Sequence, residues 1–99
     1  MADIVSDPRV EIEVLAVAWL DAEERTRADP TNAAVDAAAA RLSEEYAAAI
    51  AAATPEDLRL AWEAARRRQE TEEMGSVGWA AARRVSELLR AEYQAATLA

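Results

Sequence analysis

Apolar residues recur along this chain three and four positions apart, the spacing of helix faces. Val35, Ala39, Leu42, Tyr46, Ala49 and Ala53 fall on one stripe, with Ile50 beside it. Leu58, Ala61, Trp62 and Ala65 make a second stripe, and Val77, Ala81, Val85, Leu88 and Ala96 a third. Each is a candidate core face. The first segment differs. Val10, Val14, Val17 and Ala18 form one apolar face, flanked by Leu15 and Ala22, while Ile12, Ala16, Trp19 and Leu20 form another. From Val14 to Leu20 no residue is polar, so the segment is apolar all round, more than one helix neighbour can cover.

Start and stop signals divide the pattern. Ser6 with Asp7-Pro8 opens a helix, and Val5 and Val10 stand at staple positions. Asp29-Pro30-Thr31 ends it and caps the next. Thr54-Pro55-Glu56-Asp57 offers a capping hydroxyl, proline at the first helical position and an acid at the third. Further on, Arg66, Arg67 and Arg68 suit a helix end and Glu70, Glu72 and Glu73 a helix start, which marks a break near Thr71. Gly75, Ser76 and Gly78 mark a break one turn later. Because each glycine weakens a helix by about 1 kcal/mol, the later break is expected. The predicted fold is all-α: a small antiparallel bundle of four helices at about 7–28, 31–53, 55–73 and 77–97, or three helices if the last two run together. Residues 1–99 are expected to make a single domain, with residues 1–5 flexible. One signal competes. Val10-Glu11-Ile12-Glu13-Val14 alternates with period two, the mark of a strand. A lone strand here would need another chain to pair with, so helix is the preferred reading.

Composition changes the picture by limiting the core. Alanine accounts for 27 residues, Leu, Ile and Val together for 18, and phenylalanine is absent. Alanine favours helix but buries little area, and a small domain has little surplus burial to spare. Association is the natural remedy, and the surplus apolar surface of the first helix is where it is expected. The candidate interface residues are Ile12, Leu15, Ala16, Trp19 and Leu20, with tryptophan a favoured anchor at such surfaces. The competing reading places this helix at the centre, covered on both sides by helices 2 and 4.

Net charge is -8, and it is uneven: residues 1–54 carry -7 and residues 55–99 carry -1. Such a chain repels nucleic acid and anionic membrane at long range. A DNA-binding regulator remains an alternative. Arg66–Arg68, Gly75-Ser76, then Arg83, Arg84 and Arg90 loosely resemble a helix-turn-helix over residues 58–90, with the last helix as reader. However, Arg84 stands where that motif buries an apolar side chain, and Glu63, Glu70 and Glu87 shadow the arginines. Helical i,i+4 pairing such as Glu63–Arg67 accounts for these charges more simply.

Catalytic chemistry finds little support. The chain has no cysteine, histidine or lysine, so disulfides, zinc fingers and thiol chemistry are not expected, and the four serines lack an evident activating base. Asp21 with Glu24 and Glu70 with Glu73 each put two acids on one helix face. Pyrophosphohydrolases of the MazG type hold magnesium through such pairs on adjacent helices. Here the pairs lie about fifty residues apart, and solvated acidic faces explain them. Ferritin-like di-iron sites need Glu-x-x-His. No cofactor, metal or enzymatic activity is expected. The longest apolar runs, Val14 to Leu20 and Tyr46 to Ala53, have seven and eight residues against roughly 20 for a membrane span, and no basic stretch precedes the first, so a cytoplasmic protein without membrane association is expected.

All 11 basic residues are arginine, and Asn32 is the only asparagine. Lysine, asparagine and phenylalanine have AT-rich codons, so the pattern points to a GC-rich genome. Over the whole chain the composition resembles small proteins of high-GC actinobacteria and their phages, and Asp7-Pro8-Arg9-Val10-Glu11 is similar to the start of many small actinophage proteins. No family follows from this. A computationally designed helical bundle is the other origin considered, although designs use lysine freely and rarely place two glycines three apart. The function expected is a non-enzymatic protein–protein interaction module: a small acidic accessory or regulatory protein that self-associates as a homo-oligomer, or docks on a larger partner, through helix 1.

Overall fold

The computed structural model describes residues 8–98, with side chains from Val10 onward. Residues 1–5, the Ser6 cap and Val5 of the expected staple lie outside the described residues. Four helices follow in order: α1 (Pro8–Ala28), α2 (Ala33–Ala52), α3 (Pro55–Thr71) and α4 (Val77–Leu98). The protein is an all-α bundle. Among the described residues there is no strand, and residues 10–14 belong to α1 despite their alternation.

Local chemistry explains the boundaries. Asn32, not Thr31, caps α2. Its side-chain oxygen accepts from the backbone N–H of Ala34 and Val35, at 3.1 and 3.3 Å. Its amide nitrogen donates to Asp29 at 3.1 Å. An amide does both at once, which a threonine hydroxyl does poorly. The capping box ahead of α3 forms in full: Asp57 N–H donates to the Thr54 hydroxyl, and Thr54 N–H donates to the Asp57 carboxylate, both at 3.1 Å. α3 stops at Thr71, short of the expected residue 73, and Glu72 turns extended. The charge reversal and the glycines are therefore two parts of one connection. Gly75, at φ 86°, turns the chain, and the Ser76 hydroxyl accepts from Trp79 N–H at 3.1 Å to cap α4. The last two helices are separate.

The bundle is two hairpins. In the first, Trp19 of α1 stacks on Tyr46 of α2 with ring centroids 5.0 Å apart. In the second, Trp62 of α3 stacks on Tyr93 of α4 at 6.0 Å. Contacts in the second run from Glu72 against Gly78 beside the turn to this aromatic pair, so α3 and α4 lie antiparallel. The hairpins join through one core containing Ile12 and Ala16 of α1, Tyr46 of α2, Leu58, Ala61 and Ala65 of α3, and Val85 and Leu89 of α4. Tyr46 also donates its hydroxyl proton to Glu92 of α4 at 2.9 Å.

The expected stripe of α3 faces inward, and so does the second half of that of α2, Tyr46, Ala49, Ile50 and Ala53, while Val35, Ala39 and Leu42 are half-buried outside the core. That of α4 needs correction: Val77 is 89% exposed and Ala81 is exposed, whereas Ser86 and Leu89 are buried. Tyr93 is the largest inward side chain of α4. Its stack on Trp62 sets the helix rotation, so the inward row runs through Val85, Leu89, Tyr93 and Ala96. The pairing of Glu63 is also corrected. It meets Arg59 at 2.7 Å rather than Arg67, and Arg59 simultaneously holds Glu56.

The two glycines should respond oppositely to alanine. Gly75→Ala forces a side chain into a left-handed conformation and should lower stability by about 1 kcal/mol or more. At Gly78 the new methyl meets only the free end of the Glu72 side chain, so the helix-propensity gain of up to about 1 kcal/mol prevails. Urea midpoints shifting down and up, respectively, would agree. Tyr46 gives a pH signature. Burial first, then its hydrogen bond to Glu92 and that group's negative charge, push its phenol well above the usual range. The unfolded chain ionises this group near about pH 10 while the fold keeps it neutral, so its contribution is complete below that pH and fades as pH rises. Tyr46→Phe should lower stability by about 1 kcal/mol near neutrality and flatten the alkaline decline in thermal midpoint.

Candidate functional site

The five expected interface residues divide in an unforeseen way. Ile12 is 1% exposed and Ala16 0%, so both lie in the core. Leu15, Trp19 and Leu20 are partly buried and pack against that core. The face left open is the other one: Val10, Val14 and Val17, at 56%, 58% and 45% exposure. α1 has two apolar faces and one core to serve. The face with the isoleucine and the tryptophan buries more area, so it turns inward, and the valine face is left in water.

This open face is one wall of a groove of about 500 Å³ between α1 and α4. Val14 and Val17 stand on one side, and Gly78, Ala81 and Ala82 on the other. Ala65 of α3 lies at its base. The groove follows α1 from Glu13 to Glu24, about 16 Å at helical rise, or three turns. Small side chains on the α4 wall allow a further helix backbone to come close.

Ion pairs mark the two ends. At one, Arg84 of α4 meets Glu24 of α1 at 3.2 Å. At the other, the Arg68 guanidinium of α3 meets one carboxylate oxygen of Glu13 at 3.0 Å. Glu13 itself is only 6% exposed, and its second oxygen, Oε2, is buried without a hydrogen-bond partner among the described residues. Sequence reasoning missed Glu13, because the alternating Val-Glu-Ile-Glu-Val segment reads as solvated acids between apolar residues. Its position one residue after Ile12, about 100° around the helix from a core side chain, was the available signal.

The arginines of the alternative reading are mostly engaged. Arg83 meets Glu87 at 3.0 Å and lies over the Trp79 ring at 5.5 Å. Arg84 is held by Glu24, while Arg90 is exposed. Arg66 lies over the Trp62 ring at 5.8 Å. The antiparallel course of α3 and α4 departs from the steep crossing of a helix-turn-helix. Among the described residues, no three acidic groups converge as a metal site requires, and no helix is long and apolar enough to cross a membrane.

No protein-family model, curated protein or solved structure matches this chain. The reading of the groove therefore rests on its own chemistry.

Proposed function

We propose that this protein is a non-enzymatic association module that docks a protein partner in the groove between α1 and α4. The observation that supports this reading is the row Val10, Val14 and Val17. These are three exposed β-branched residues at i, i+4 and i+7, the spacing with which one helix meets another. They are apolar, adjacent and continuous with a groove lined by small residues. Single exposed apolar residues are ordinary, but a contiguous patch with a polar rim marks an interface. Elsewhere, Arg83 pairs with a carboxylate, and Arg66 and Arg83 lie on aromatic rings.

The role is that of a small accessory or regulatory protein whose output is the complex it forms. Helix-on-helix burial supplies the affinity, and charged residues at the rim set orientation and discourage wrong partners. In this reading, of the expected docking residues Ile12, Leu15, Ala16, Trp19 and Leu20, Leu20 lines the groove while Ile12 and Ala16 serve the core, and the docking face centres on the valines of the same helix.

Photo-crosslinking in cells tests the reading. A benzophenone amino acid at Val17 should give a covalent adduct with a second polypeptide. The same group at Ala48, exposed on α2, should give none. Adducts at both positions, or at neither, would contradict docking through the valine face.

A further inference from the structure

We infer that the groove between α1 and α4 takes a cationic amphipathic helix, whose arginine or lysine completes the hydrogen bonding of Glu13. This rests on the docking reading above and names the chemistry of the partner.

The first observation is Glu13 itself. A carboxylate with one buried, unpartnered oxygen is costly to keep. Here that oxygen belongs to a residue lining the groove, 6% exposed, with its Oε2 unsatisfied among the described residues. Arg68 reaches only the other oxygen. Arg68 comes from the end of α3, and its side chain is 62% exposed, so it can swing outward. A guanidinium or ammonium entering past Val14 would then supply the missing donor to Oε2. A carboxylate accepts two parallel donors readily, so Arg68 and the incoming cation can share it.

The second observation is the charge around the groove. Its lining carries four carboxylates, Glu13, Asp21, Glu24 and Glu72, against two arginines, Arg68 and Arg84. Both arginines are already paired, with Glu13 and Glu24 respectively, and Asp21 is held from outside the groove by Arg25 at 3.1 Å. Glu72 and the second oxygen of Glu13 are what the lining leaves over, and the field of a chain at -8 adds to them. A basic partner is drawn in, whereas a second copy of this chain would bring a like-charged rim against this one. The apolar walls, about three helical turns long, require an apolar stripe on the same partner.

Two labelled 16-residue helical peptides provide the test. Both carry a leucine and alanine stripe; one has arginine flanks and the other glutamate flanks. Fluorescence anisotropy against the full chain should show the arginine peptide binding, more weakly as salt rises. Glu13→Gln turns the acceptor Oε2 into a donor at constant shape and should weaken binding roughly tenfold or more, with no fall in thermal midpoint. Val17→Glu should abolish binding. Equal binding of the glutamate peptide, unchanged affinity in Glu13→Gln, or no binding of either peptide would overturn the inference. Sedimentation of the chain alone separates it from the docking reading. A dimer dissolved by Val17→Glu would keep that reading and remove the cationic partner.

Discussion

The burial of Ile12 and Ala16 against residues of the other three helices holds the two hairpins together. α1 is the helix that makes substantial contact with all three others; α3 and α4 pack mainly on each other, and α2 packs mainly on α1. With few large apolar side chains and no phenylalanine, the core depends on close approach. Ala16, Ala61 and Ala65 sit at or near zero exposure, where a larger residue would push the helices apart. Full burial of Ile12 contributes about 1.5–3 kcal/mol, a large share for a domain whose stability is of the order of 5–15 kcal/mol.

That arrangement has a consequence for the surface. A helix central to a small bundle is still covered on only part of its circumference, and α1 is apolar on more than that part. The valine face is what remains after the core is satisfied, and the splay between α1 and α4 turns it into a groove. Glu13 stands at the boundary between the two regimes. It is deep enough to lose its water and near enough to the groove to be reached from outside. In this account the core and the docking surface are two faces of the same helix. Changes that rotate α1 would therefore alter both.

Much of the fold was legible in the sequence. Pro55 and the Thr54–Asp57 box placed the start of α3, and the spacing of Tyr46, Ala49 and Ala53 gave the inner face of α2. The rotations of α1 and α4 were not legible, because each carries two plausible apolar faces and the choice depends on partners distant in sequence. For α4 the deciding contact is Trp62 on Tyr93, 31 positions apart. For α1 it is the competition between the Ile12–Trp19 face and the valine face for one core. The competing expectation, a central α1, described the packing better, although α2 and α3 are its main neighbours rather than α2 and α4. Of the candidate interface residues, Ile12 and Ala16 thus lie in the core, and the open apolar face of the same helix is that of Val10, Val14 and Val17. Glu13 with Arg68 was out of reach for the same reason, since pairing across 55 positions leaves no local signature.

Because the chain has no cysteine, single cysteines can be placed along α1 and their reaction rates with a water-soluble thiol reagent compared. In the folded chain, Val10→Cys, Val14→Cys and Val17→Cys should label at rates close to those of the unfolded chain, and Ile12→Cys and Ala16→Cys should be strongly protected. Equal labelling across the five positions, or protection on the valine side, would contradict the orientation of α1 and every conclusion drawn from its open face.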